Sequence, residues 1–339
     1  MTRDHYTDLD GMRGMLACTV MLFHFGLNGL IERLTHGAVH GGEWGLCVDF
    51  FFVLSGFVLC ASFEQRPPTA RGYVIKRVAR LAPVHLLTLF AVLLIGGGSA
   101  STWAILSNVT MVHTFVDQPA INFPAWSVAP ELFVPFLAVF LAPRLLAFGQ
   151  STTRVLLGIG LVAGMILNVL LITGHDERAL RGAVGILTGF VLFALYRNMG
   201  AAPPRPSLFL TVVAGLFLVM GLSRTAPEVI LAFYPLSCLA ILLGARTRTL
   251  LSSPPFQALG AWSYGIYLVH IPVLRVAEVF ASEQTLDGNI PIKAAMIAAT
   301  VGLAALLYVS VEKPIMRWAA GVVQRGGTGS RNHLNRTDV

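Results

Sequence analysis

The chain has 339 residues, of which 55% are hydrophobic and only 12% charged, with a formal net charge of +7. A soluble domain carries about 25% charged residues, so a water-soluble globular fold is excluded. The apolar residues fall in runs of about 17–25, the length that crosses a bilayer core as a helix. They do not alternate with polar residues, so closed barrels are excluded too and helices remain.

In chain order the runs predict ten transmembrane helices, at 12–31, 44–63, 83–99, 125–147, 154–173, 179–196, 207–222, 227–244, 259–281 and 294–316. A further stretch, Trp103 to Val116, is too short to span and reads as a re-entrant or interfacial helix. The expected fold is therefore all-α, a polytopic membrane protein. Residues 1–319 form the membrane domain and 320–339, rich in Gly, Arg, Asn and Ser, a disordered cytoplasmic tail. Asp4, Asp8 and Asp10 precede the first span, which reads as a retained helix rather than a signal peptide. Cys18, Cys47, Cys60 and Cys238 all fall in spans without CxxC or metal spacing; they read as packing residues, and no metal is expected.

Basic residues orient the chain. Eighteen lie on one side, among them Arg3, Arg66, Arg71, Lys76, Arg154, Arg317 and Arg336, against five on the other (Arg33, Arg178, Arg181, Arg224 and Lys293), with Arg275 inside a span. The positive-inside rule puts the larger set, and both termini, in the cytoplasm. The net charge then reflects topology and attraction to anionic membrane lipids, not nucleic acid.

Ionisable residues within spans are costly and commonly face a cavity or a partner. His24 follows Arg13 by eleven residues in the first span, which returns the helix to one face within roughly 20° and separates the two by about 16.5 Å. Counting from the span ends puts His24, Asp49 and Glu131 at a similar depth, roughly 8–10 Å from the outer side. A carboxylate at that level could orient the imidazole, as in hydrolytic triads; alternatively each carboxylate pairs structurally with another helix. His270, two residues before Pro272, is a further candidate. Arg77 and Arg80 share a helix face beside Lys76 and can grip phosphate oxygens together; alternatively they are topology signals.

These residues sit in stretches that resemble the membrane acyltransferase 3 family of bacterial envelope O-acyltransferases. Leu9-Asp10-Gly11-Met12-Arg13-Gly14 with His24 resembles its opening motif. Asp49-Phe50-Phe51-Phe52-Val53-Leu54-Ser55-Gly56-Phe57 and Arg77-Val78-Ala79-Arg80 resemble its second helix and RxxR element. Trp126-Ser127-Val128-Ala129-Pro130-Glu131, Ser263-Tyr264-Gly265-Ile266-Tyr267-Leu268-Val269-His270 and Glu312-Lys313-Pro314 resemble later segments. The double carboxylate of the family is single here, with Leu132 after Glu131, and residues 150–250 match in hydropathy only.

The resemblance implies transfer of an acyl group, acetyl being usual, from cytoplasmic acyl-CoA to a hydroxyl of an extracytoplasmic saccharide or lipid-linked glycan, in the bacterial cytoplasmic membrane. Acyl-CoA is then a donor co-substrate and no bound cofactor is expected. Under that reading His24 is the general base, near its working pH without perturbation, with Asp49 and Glu131 in support. Arg13, Arg77 and Arg80 bind acyl-CoA. Ser55, Trp126, Ser127 and His270 line the substrate pocket. The rivals are a secondary transporter, which would show internally symmetric halves that this sequence lacks, and a lipid-binding protein without chemistry.

Overall fold

The computed structural model describes residues 6–334 except 66, 97–99, 201–202, 283–284 and 287–288. The expectations for Arg3, Asp4, Arg66 and Arg336 lie outside the described residues. Every regular element among those described is helical.

The chain opens with α1 (Thr7–His24), α2 (Leu27–Leu34), α3 (Leu46–Gln65) and α4 (Ala70–Ile95). The short α5 (Thr102–Val109) leads through 3₁₀ turns at His113–Phe115 and Phe123–Ser127 into α6 (Val128–Ala147). Then come α7 (Gln150–Ile172), α8 (Arg178–Tyr196), α9 (Pro206–Leu222), α10 (Phe233–Gly244) and α11 (Pro254–Phe280). Last, α12 (Ile290–Leu307) passes through a π-turn, Tyr308–Glu312, into α13 (Lys313–Leu334).

Six of these helices are long and apolar enough to cross a membrane, or up to eight if each bent pair counts as one span. That is fewer than the ten expected from hydropathy. At 17 residues α9 is a short apolar helix, and α11, though 27 residues long, carries Gln257, Ser263, His270, Arg275 and Glu278. The run at 12–31 is not one straight helix: α1 ends at His24, and α2 leaves at 78°. Gly26, with φ +89°, supplies the left-handed turn between them. The loop expected at 64–82 is largely helix, since α4 begins at Ala70. The chain stays helical to Leu334, into the segment that composition assigns to a tail.

Two helix pairs approach backbone to backbone, and glycine permits both. A side chain at Gly56 of α3 would overlap the Ile186 carbonyl, and one at Gly189 of α8 would overlap the Val53 carbonyl. Likewise Gly11 and Gly14 of α1 lie against the Leu251 carbonyl and the Gly260 amide. Small residues at such contacts let apolar helices pack closely where no hydrophobic drive holds them together. Asp8, fully buried, fastens the same end of α1 by accepting hydrogen bonds from Thr247, Thr249 and Ser252. Gly56→Ala is therefore expected to cost about 1–3 kcal/mol by overpacking, read as a lower melting midpoint in detergent. Gly158→Ala, where nothing lies within 4 Å, is expected to leave that midpoint unchanged.

Candidate functional site

Prolines and the carbonyls they free organise the centre of the molecule. A helical proline has no N–H for the carbonyl four residues earlier, and in an apolar environment that carbonyl needs another donor. Pro272 frees the Leu268 oxygen, which accepts from the Asn122 side-chain amide at 3.0 Å. Pro135 frees the Glu131 oxygen, which accepts from Arg77 Nε at 3.0 Å. Just ahead of α6, the Trp126 carbonyl accepts from the Thr114 hydroxyl at 2.6 Å. Tyr267 also donates to the Pro124 carbonyl at 2.8 Å. The segment 113–127 is thus drawn in against α11.

Residue counting set Glu131 level with His24 and Arg77 at the opposite mouth, yet the two side chains lie 3.3 Å apart, and Arg77 stands within α4, which begins at Ala70. Arg77 reaches Ser55 as well, at 3.2 Å, tying α3, α4 and α6 together.

Arg77, Glu131 and Ser55 border a cavity of about 160 Å³, with Arg13, Arg80, Ser127, Ser263, Tyr264 and Tyr267 also on its wall. Arg80 is paired with Glu312, which is 1% exposed. The π-turn ends at Glu312 and holds it at this place; π-bulges frequently mark functional positions. The Arg80 guanidinium also sits 5.4 Å from the Tyr264 ring centre. Arg13 is bonded to Asp10 at 3.1 Å and to the Gly260 carbonyl at 3.2 Å, while its buried Nε has no partner. The three arginines named from sequence for donor binding therefore do converge, although all three are already engaged by carboxylates or carbonyls.

His24 and His270 form a pair beside this cavity. The Nδ1 of His24 lies 3.0 Å from the Val20 carbonyl and 3.2 Å from Nε2 of His270, and Nδ1 of His270 lies 3.2 Å from the Ile266 carbonyl. A carbonyl only accepts, so both neutral rings carry their proton on Nδ1. His270 Nε2 then accepts from His24, and the lone pair of His24 is left on Nε2. His24 is half-buried, whereas His270 is fully buried. Tyr267, on the cavity wall, has its ring centre 6.3 Å from that of His270, and Phe123 packs edge-on to His24 at 5.8 Å. Among the described residues no carboxylate bonds to either imidazole. The carboxylate expected to orient His24 is replaced by a second histidine.

Asp49 belongs to a different assembly. Fully buried on α3, it receives two bonds from Arg181, at 3.1 and 2.7 Å. Arg181, counted from sequence among the five charges of the outer side, is 2% exposed. It also binds Asp176 and stacks 5.0 Å from the centre of the Trp126 ring system. Burial alone would raise the Asp176 carboxyl, but the Arg181 and Arg178 guanidiniums outweigh it and hold the group below its ordinary range. Asp49 is thus spent on an ion pair that fixes Trp126, and Trp126 leads directly into Ser127 and the cavity wall.

Sequence reasoning also missed Tyr264, Tyr267 and Ser263 as cavity groups and Glu312 as the partner of Arg80, although all lie in the family-like motifs. The usable signal was Pro135 and Pro272, whose freed carbonyls accept from Arg77 and Asn122. Among the described residues no cluster of three or more His, Cys, Asp or Glu could hold a metal ion.

Long apolar helices around a basic, tyrosine-lined cavity, with a histidine pair next to Tyr267 of its wall, define an integral membrane protein with an internal cationic site. The acyltransferase-domain family model matches residues 6–309, nearly the whole chain, and the protein belongs to that acyltransferase family. Among similar proteins, the peptidoglycan O-acetyltransferase OatA of Listeria monocytogenes is 26% identical over 93% of this chain and 56% of its own. The acyltransferase MdmB of Streptomyces mycarofaciens is 25% identical over 91% of both chains. The O-acetyltransferase OatA of Staphylococcus aureus is 24% identical over 91% of this chain and 57% of its own. The chain thus spans little more than half the length of the OatA proteins. No solved structure matches it.

Proposed function

We propose that this protein moves an acyl group, acetyl in the simplest case, from cytoplasmic acyl-CoA to a hydroxyl of an extracytoplasmic saccharide or lipid-linked glycan. The observation that carries the reading is the juxtaposition of the Arg13, Arg77 and Arg80 cavity with the His24–His270 pair through Tyr267. Planar guanidinium forks suit the phosphates of CoA, and the pantetheine arm is long enough to carry a thioester inward toward His24. There Nε2 takes the proton of the acceptor hydroxyl as its oxygen attacks the thioester carbonyl. The carbon–sulfur bond breaks, and the proton passes to the departing thiolate. The neutral His270 ring accepts from His24 Nδ1–H throughout. Relatives named O-acetyltransferase, one of them for peptidoglycan, support a glycan hydroxyl as acceptor.

The reading includes ten spans, with α9 and α11 crossing beside the eight candidates, both termini in the cytoplasm, and a place in the bacterial inner membrane. A reporter fused at residue 70 is expected to read cytoplasm and one in loop 174–178 outside; the reverse pattern overturns the orientation. Arg77→Ala or Arg80→Ala is expected to weaken acyl-CoA binding in detergent, and added salt to weaken it further in the wild type by screening. Wild-type affinity in both variants would reduce the pair to a structural role. The whole reading is tested by mass spectrometry of envelope glycans with and without the protein. An acyl-sized mass difference supports it, and identical spectra oppose it.

A further inference from the structure

A second set of side chains meets His24 away from the arginine cavity. Phe23, its neighbour in α1, has its ring centre 5.1 Å from that of the imidazole, and Phe123 lies edge-on at 5.8 Å. Arg224 sits 6.0 Å from the Phe23 ring centre and pairs with Glu43 at 3.1 Å. Arg178 sits 5.4 Å from the Phe123 ring centre and pairs with Asp176 at 2.8 Å. Glu43 is within electrostatic reach of the His24 ring. None of these side chains borders the cavity that holds Arg13, Arg77 and Arg80. Nε2 of His24 has no hydrogen-bond partner among the described residues and stays accessible.

Two members of this rim are fixed by several bonds each. The loop that carries Glu43 is clamped from both sides. Asn28 of α2 accepts from the Gly42 amide at 3.0 Å and the Trp44 indole at 2.7 Å, and donates to the Gly42 carbonyl at 2.9 Å. On the other side the Glu43 amide donates to the Ser223 hydroxyl at 2.8 Å, and Gly42 leaves no room for a side chain against the Met220 carbonyl. Phe123 is 47% exposed, yet both of its neighbours are tied to α11. Asn122 donates to the Leu268 carbonyl, and the Pro124 carbonyl accepts from Tyr267. A part-exposed carboxylate and an exposed ring are thus held rigidly beside the base, as in a pre-formed binding site.

On the acyl-transfer reading, we infer that the acceptor saccharide binds on this rim, against Phe23 and Phe123, with the Glu43–Arg224 pair bonded to two neighbouring hydroxyls. A carboxylate only accepts and a guanidinium only donates, whereas a hydroxyl does both. Side by side, the two charged groups complement a vicinal diol. A sugar ring also presents C–H bonds on its flat faces, which pack on the negative faces of aromatic rings. A lone alcohol on an acyl chain has neither feature, so the rim suits a saccharide and not a lipid alcohol. A further hydroxyl of the seated sugar is then left open to Nε2 of His24.

The test follows the initial rate of envelope-glycan acylation by mass spectrometry in cells carrying the full chain, alongside acyl-CoA binding by the same proteins in detergent. Glu43→Gln is expected to lower acylation roughly 10-fold, the worth of a hydrogen bond to a charged group, and Phe123→Ala to lower it several-fold, both with acyl-CoA binding unchanged. Glu43→Asp is expected to regain part of the loss, and Glu64→Gln, at the far end of α3, to match the wild type. Wild-type acylation in both rim variants overturns the site and leaves acyl transfer standing. A loss of acyl-CoA binding in step with acylation also overturns it, because the residues then serve the donor or the fold. If either variant does not insert, p-benzoylphenylalanine in place of Phe123 decides. On illumination in cells, a saccharide mass attached there supports the site, and lipid alone or no adduct overturns it. A captured saccharide with no acylated glycan in the wild type keeps the site and refutes the transfer.

Discussion

His24→Ala is expected to insert and fold, to bind acyl-CoA as the wild type does, and to transfer almost no acyl group. A positioned general base contributes roughly 10²–10⁴-fold in rate, about 3–5 kcal/mol of barrier at ~1.4 kcal/mol per tenfold. The physical reason is the ring's place in its hydrogen-bond chain. With Nδ1–H committed to Val20 and His270, the basic nitrogen of His24 is left on the side not used for support. His24→Asn preserves some hydrogen bonding but takes up no proton, and is expected to be nearly as inactive. A histidine with only a packing role gives the opposite pattern, lower yield with normal turnover per folded molecule. Acyl transfer per mole of folded, CoA-binding protein separates the two, and near-wild-type turnover in the Ala variant would falsify the catalytic assignment.

Asp49→Ala is expected to act on folding instead. It leaves Arg181, 2% exposed, with one carboxylate in place of two. Removing one partner of a buried ion pair costs about 3–5 kcal/mol, seen as a large loss of folded yield and a lower melting midpoint in detergent. Molecules that do fold are expected to keep most of their turnover, because Asp49 has no bond to either imidazole. Replacing both partners, in Asp49→Leu/Arg181→Met, removes the unpaired charge and is expected to recover part of the lost stability. A folded but inactive Asp49→Ala protein would return Asp49 to the catalytic group. A double variant no more stable than the single one would show that the pair is not the unit that matters.

Sequence by itself determined the material of this protein. Long runs of apolar residues can meet the backbone's hydrogen-bonding needs only as helices, whatever they pack against, so an all-helical chain followed from composition and run length. The arginines that line the cavity were legible because charge inside an apolar run is costly enough to mark itself. His24 and His270 were legible singly for the same reason.

Their pairing was not, because 246 positions separate them and it takes the close approach of α1 to α11, at Gly14 and Gly260 among other contacts, to bring their helices together. Depth along a helix, counted from its predicted end, assumes that loops lie outside. Here Pro135 and Pro272 free carbonyls that accept from Arg77 and Asn122. The segment before α6 packs against α11, and Glu131 meets Arg77, which counting had set at the opposite mouth. Which carboxylate meets which arginine was decided by that fold, since Asp49 and Glu131 are chemically alike and a linear pattern cannot choose between Arg181 and Arg77. Tertiary structure alone made one pair a strut beneath Trp126 and the other a wall of the cavity.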